Sequence, residues 1–403
     1  MIYRLGRFEP LEAGVLPRVA RAARRRSRRG RRWAMRMRSS EFTRPPIDKY
    51  VRQRQVQLAV GLECRKAIYL DVNFWITLGD TAAGRPAGSG ETHLLGSLRR
   101  RVSAGKIFCP VGDSTFAELL KQSDPATRKT TANLIDELSL GVAIIPFEWR
   151  IGTELAHFMY AESNPNDLYP LKHLVWSKLG YVLGHVHPTL SGLDEETQEA
   201  LQRAFLDHMW TISMSEVIDR IGDSWLPDFF ARFGLLADAL NVQNAEHAGE
   251  LGSFQQAYSA EIQGAIDVFA GTGVDILREM FMRSSGYLPE LSTEERAATE
   301  RELKKFLAVA FKRNPTKDAL RTLHMLACMH AFVRWNKGQK LKANDFLDFR
   351  HATAALGYCD AFFTEHSMRN MVSANHISLD TRYGCRVISD VNDALDYLAT
   401  VAN

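Results

Sequence analysis

Short apolar runs alternate along this chain with longer stretches whose apolar residues recur every three or four positions. In "RKAIYLDVNFWITLGD", residues 65–80, the run Ile68-Tyr69-Leu70 is too short for a helix, and its β-branched and aromatic bias predicts a strand buried on both faces and ending at Asp71. "KIFCPVG" (106–112) and "VAIIP" (142–146) predict a second and a third strand. Helical periodicity fills the intervals in "THLLGSLRRRVSAG", "DSTFAELLKQ" and "PATRKTTANLIDELSLG". Asp113 or Ser114 is the expected cap of the second of these helices, and Gly141 closes the third.

From residue 148 to residue 340 no strand is predicted, and apolar residues keep helical spacing, as in "DALRTLHMLACMHAFVRW", where His324 and His330 read as packed against a helical core. Alternation returns near the C-terminus. A helix in "NDFLDFRHATAALGY" precedes the strand "AFFTE", the helix "HSMRNMVSA", the strand "CRVIS" and the helix "VNDALDYLAT". Strands separated by helices make a parallel sheet, so the expected fold class is α/β, a doubly wound parallel sheet split by a mostly helical insertion. The expected divisions are a basic, disordered leader (1–60), the first half of the α/β domain (61–147), the insertion (148–340) and the second half (341–403).

Composition narrows the function classes. The 403 residues, 45% hydrophobic and 24% charged, exceed a comfortable single core, and no apolar run is long enough to span a bilayer. A membrane role is not expected. Five scattered cysteines without a CxxC spacing read as small buried residues of a reducing, cytoplasmic compartment. The net charge of +4 is an average over unlike regions: residues 1–38 hold thirteen arginines against Glu9 and Glu12, which leaves the rest of the chain net acidic. That head reads as a phosphate-binding arm, a targeting segment or, ranked first, a translated leader ahead of a true start at Met35 or Met37.

Four acids share one structural description. Asp71 ends the first strand, Glu118 lies early in the helix after the second, Asp348 lies in the first turn of the helix before the fourth, and Glu365 closes the fourth. In a doubly wound sheet all four belong at the carboxyl edge, where ligands bind. Gathered carboxylates raise one another's pKa unless a cation neutralises them, and oxygen ligands select Mg²⁺ or Mn²⁺. An ion so held activates water against a phosphodiester. The alternatives are ordinary: Asp71 can cap the next helix, and Asp345 and Asp348, three apart, can be a cap and a helix-dipole acid. Asp345 is also a candidate metal ligand.

In this order "IYLDVNFWITL", "STFAELLK", "NDFLDFRHATAALGYCDAFFTEHSM" and "CRVISDVNDALDYL" resemble the successive signatures of PIN-domain nucleases, over about residues 65–147 and 342–400. The resemblance implies a sheet of order 3-2-1-4-5, metal-binding acids at Asp71, Glu118 and Asp348, a polar neighbour at Asn73 that helps orient the site, and metal-dependent cleavage, mostly of RNA. It also implies service as a toxin with an inhibitory partner protein, in RNA processing or in defence. Many members carry aspartate two residues after a threonine that follows the fourth strand. Here Thr364-Glu365-His366 puts histidine in that place, and Glu365 substitutes from one residue earlier.

Overall fold

The computed structural model describes residues 46–86, 88–161, 168–184, 187–221, 227–249 and 252–401. The arginine-rich head through residue 45 therefore lies outside the described residues. The chain is helical from Pro46, in α1 (Pro46–Leu62), so residues 46–60, expected to be disordered, form a helix.

Strand β1 (Lys66–Leu70) is followed by α2 (Val72–Ala82) and α3 (Ser89–Ser103), β2 (Ile107–Phe108) by α4 (Asp113–Leu119) and α5 (Pro125–Ser139), and β3 (Val142–Ile144) by α6 (Phe147–Ala161). After β4 (Trp176–Lys178) come α7 (Leu179–Leu183), α8 (Glu195–Met209), α9 (Met214–Ile221), α10 (Pro227–Glu246), the long α11 (Phe254–Ser285), α12 (Thr293–Ala310), α13 (Asn314–Ala319) and α14 (Arg321–Trp335). The last elements are α15 (Asp345–Tyr358), β5 (Ala361–Phe363), α16 (His366–Val372), α17 (Leu379–Tyr383), β6 (Arg386–Ile388) and α18 (Val391–Thr400).

Four strands form a parallel sheet in the order β2-β1-β5-β6. The order reverses between β1 and β5, which makes their carboxyl ends the switch point of the sheet. The third strand is not in that ladder. It pairs antiparallel with β4 and meets the segment after β2 through a parallel bridge between Val111 and Ala143, so the ladders carry four strands of the order implied by the resemblance and leave the place of the third unconfirmed. A strand within residues 148–340 is itself a correction. Trp176-Ser177-Lys178 is too short to show any periodicity, and its partner β3 is what makes it extended.

Alternate residues of β1 part to opposite faces, as the pleat requires. Ala67 and Tyr69 join Phe108 and Phe362 in one buried cluster, while Ile68 and Leu70 join Ile107, Ala361, Phe363 and Ile388 in the other. The second cluster is covered by α2, α3, α5 and α18, through residues such as Trp75, Leu98, Ile135 and Leu398. The first is covered by α15 and by helices of residues 148–340, through Ile151 and Leu155 of α6, Ile266 and Val274 of α11 and Leu323 and Met325 of α14. The helical block supplies one of the two layers that bury the sheet.

Local capping differs in detail from the sequence expectation. Gly112, not Asp113 or Ser114, is the N-cap of α4, and Asn344 is that of α15. Helix α5 starts at Asp124, whose carboxylate accepts from the Ala126 and Thr127 amides, and ends at Leu140 and Gly141, both at positive φ. Cys109, Cys328, Cys359 and Cys385 are buried and Cys64 is exposed, all with free thiols. No helix among the described residues is long and apolar enough to cross a membrane.

A candidate metal centre at the carboxyl edge of the sheet

The register places Asp71 one residue beyond the last β1–β5 pair, Leu70 with Phe363, and its amide still donates to the Phe363 carbonyl at 2.9 Å. Its backbone is extended (φ −66°, ψ 160°), and its Oδ1 accepts from the Val72 amide at 2.6 Å. Asp71 is thus the N-cap of α2, as the plainer reading held. Its second oxygen is turned the other way, where Oδ2 accepts from the Thr364 hydroxyl at 2.8 Å. A helix cap needs only the first contact. The second ties the carboxylate to the end of the neighbouring strand and leaves it almost wholly buried at the switch point.

Glu118 arrives from α4 and is buried against α15. Its Oε2 accepts from Nε2 of His351 at 2.8 Å, and Lys121 stands 3.7 Å from Oε1. Nδ1 of His351 shares a hydrogen bond of 2.7 Å with the Tyr69 hydroxyl, which also lies 3.4 Å from Thr115 Oγ1. His351 is wholly buried, so both of its ring nitrogens are held by protein groups. One carboxylate oxygen of Asp71, one of Glu118 and one ring nitrogen of His351 lie within 4.8 Å of one another.

The charges in this cluster are strongly coupled. Burial, then the charge of Asp71, pushes the Asp348 carboxyl up to about 7, with Glu118 and Asp345 adding to the repulsion and His351 opposing it. Burial opposes ionisation of Glu118 too, but the hydrogen bond and charge of His351, helped by Lys121, outweigh it and hold that carboxyl below its ordinary value. For His351 burial alone would lower the pKa. Contact with Tyr69 and Glu118, with the charge of Asp71, more than offsets it and raises the imidazole well above its usual range.

The remaining sequence candidates divide. Asp345 opens α15 and accepts from the Lys342 amide at 2.8 Å, and acts on Asp348 as a like charge. Glu365 is exposed and accepts from the Asn73 side-chain amide, and Ser367 lies 3.4 Å from its other oxygen. Neither acid is among the three donors that converge. His351 is the group the sequence reading missed. Its signal is faint, a histidine one helical turn after Asp348 in a stretch otherwise rich in alanine, and i, i+3 spacing puts the two on one face.

Two carboxylates and an imidazole within 4.8 Å can hold a divalent ion, so the residues fit such a group. Nitrogen in the donor set widens the choice beyond the hard ions that oxygen alone would select. To serve as a ligand, Nε2 would give up the proton it now shares with Glu118. No protein-family model, curated protein or solved structure matches the chain.

Proposed function

We propose that this chain is a metal-dependent nuclease of the PIN-like kind, acting as an endoribonuclease, with Mg²⁺ or Mn²⁺ held by Asp71 and Glu118. The observation that carries the reading is the convergence of Asp71, Glu118 and His351 at the switch point of a parallel sheet, with Asp348 close enough for its pKa to be raised by both acids. Buried carboxylates at that edge are costly to the fold unless they serve a bound cation or a proton transfer.

A divalent ion, when bound, activates water and neutralises charge on a phosphodiester. The chain's own groups do the rest. Thr364 and the Val72 amide hold the Asp71 carboxylate in one orientation, and His351, fixed by Tyr69, does the same for Glu118. Asp348, titrating near 7, is the carboxyl placed to take up or release a proton at neutral pH. Asn73 and Glu365, paired and exposed beside the cluster, are placed to meet a substrate backbone.

The test is cleavage of RNA and DNA strands of the same sequence by the purified full chain, with Mg²⁺, Mn²⁺ or EDTA. RNA cleavage that needs the metal and is lost in both Asp71→Asn and Asp348→Asn supports the proposal. Cleavage of DNA alone changes the substrate class, and no cleavage of either with any of these ions ends the nuclease reading.

A second reading is favoured by the His351–Glu118 pair. A buried imidazolium is itself a cation, and one already bound to Glu118 neutralises part of the cluster without a metal. The chain would then be a weakly active or inactive scaffold that binds RNA or a partner protein. Calorimetric titration with Mn²⁺ separates the two, since the scaffold gives no saturable heat.

A further inference from the structure

Away from the acid cluster a cleft of about 430 Å³ lies among α11, α13, α14 and α17, lined by Phe254, Tyr258, Lys317, His324, His376 and Arg382 with the hydroxyls of Ser378 and Thr381. Its volume is within the range of small-molecule sites. The lining holds two cations, Lys317 and Arg382, and no carboxylate.

Its hydrogen-bonding inventory is one-sided. The Tyr258 side chain is 6% exposed, and its hydroxyl is buried with no hydrogen-bond partner among the described residues. Arg382 is anchored by Asp318 at 2.8 Å and by the Asn314 carbonyl at 3.1 Å, yet its Nε is buried with no partner. The Lys317 ammonium lies over the Tyr258 ring, 5.6 Å from its centroid. Buried polar groups are nearly always satisfied, so the unpartnered Tyr258 hydroxyl, beside the Lys317 and Arg382 cations of the lining, suits an acceptor with several oxygens. The field agrees: burial, with Arg382 and Lys317, pushes the His324 imidazole down to about 3, so it stays neutral while its Nδ1 shares a 2.8 Å hydrogen bond with the Tyr383 hydroxyl.

The lining also has an aromatic side, Phe254 and His376, whose rings meet edge-on. Their centroids are 4.8 Å apart, and His376 stacks on Phe332 at 5.7 Å with an interplanar angle of 6°. An inorganic anion would fill only part of such a cleft. An anion joined to a flat ring would use both the cations and the aromatic side, because every base has a π-face for an aromatic side chain.

We propose that this cleft binds a nucleoside monophosphate, its phosphate on Lys317, Arg382 and the Tyr258 hydroxyl and its base against Phe254 and His376. The site is separate from the acid cluster and does not depend on how that cluster is used.

The test is isothermal titration of the full chain in EDTA with AMP, GMP, CMP and UMP, the matching nucleosides and inorganic phosphate. Without metal the acid cluster repels anions, so binding there is suppressed. At least one monophosphate is expected to bind at a single site, and its nucleoside and inorganic phosphate at least tenfold more weakly. Lys317→Met should weaken binding at least tenfold and Tyr258→Phe about threefold, while Asp71→Asn should leave it unchanged. If Lys317→Met does not fold, His376→Ala, at an exposed position of the aromatic side, takes its place with a loss of fivefold or more expected. The proposal is overturned if no monophosphate binds at millimolar concentration, if the cleft variants bind as the parent does, if inorganic phosphate binds as tightly as any nucleotide, or if Asp71→Asn abolishes binding.

Discussion

Nε2 of His351 donates to Oε2 of Glu118 at 2.8 Å, across 233 residues of sequence, and both side chains are buried. A buried charge left without its partner costs about 3–5 kcal/mol. His351→Leu should therefore destabilise the metal-free protein by roughly that much, because it strands the Glu118 carboxylate. Glu118→Gln should cost less. The double variant should be more stable than the sum of the single losses implies, by about 1.5 kcal/mol or more, as coupled neighbours are. Urea denaturation of the four proteins measures this, and strict additivity would mean that the two groups do not act as a pair.

Asp348 yields a pH signature. Its folded pKa, about 7, lies above the unfolded value, so between about pH 4 and 7 the folded state holds a proton that the unfolded state has lost. Stability from this group falls as pH rises through that window, and the full penalty stands above pH 7. Asp348→Asn removes it. In EDTA the variant should exceed the parent at pH 8 by up to about 4 kcal/mol, with the gain shrinking towards pH 4. A gain that is constant with pH would locate the raised pKa elsewhere.

Asp71 caps α2 and also faces Thr364, and its two oxygens make separable predictions. Asparagine caps about as well as aspartate, so Asp71→Asn should melt within a few degrees of the parent in EDTA. The rise in melting temperature that saturating Mn²⁺ gives the parent should be lost in the variant, since binding to the folded state is what raises it. Metal-dependent cleavage should fall by orders of magnitude. Glu365→Gln, at an exposed residue outside the converging donors, should keep the Mn²⁺ response. If Glu365→Gln loses it and Asp71→Asn does not, the ion is held on the Asn73 side of the edge instead.

Glu154 joins the helical block to the helix that carries Asp348 and His351. It is wholly buried in α6 and accepts from the Thr322 amide at 2.9 Å, the Thr322 hydroxyl and the Tyr358 hydroxyl at 2.6 Å. Burial raises its carboxyl above the ordinary value despite these contacts. Glu154→Ala leaves three donors without their acceptor and should cost about 3 kcal/mol or more in denaturant unfolding. Replacing residues 148–340 by a Gly/Ser linker should give no soluble protein, because it uncovers the face of the sheet formed by Tyr69, Phe108 and Phe362. A folded, monomeric product would make the block a true insertion with a core of its own.

Periodicity and local chemistry encode the elements of this fold and the ends of its strands. The runs around Ile68, Val142, Phe362 and Val387 are strands, and Asp71 stands at the carboxyl end of the first, because a short buried apolar run bounded by polar residues has few other uses. The helices flanking them were legible from spacing, and so was the approach of Asp71 to Glu118, since parallel strands bring such positions to one edge. Long-range packing supplies the rest. Trp176–Lys178 is a strand because β3 offers it a partner, and a three-residue segment carries no periodic signal of that. The helices of residues 148–340 share the core of the sheet because one face of it would otherwise meet water, a requirement of the whole fold and of no single helix. His351 becomes the partner of Glu118, and Glu365 turns to Asn73, through contacts between residues hundreds of positions apart. Local pattern fixes which face a residue occupies, but which charge it meets across that face depends on packing that only the complete chain creates.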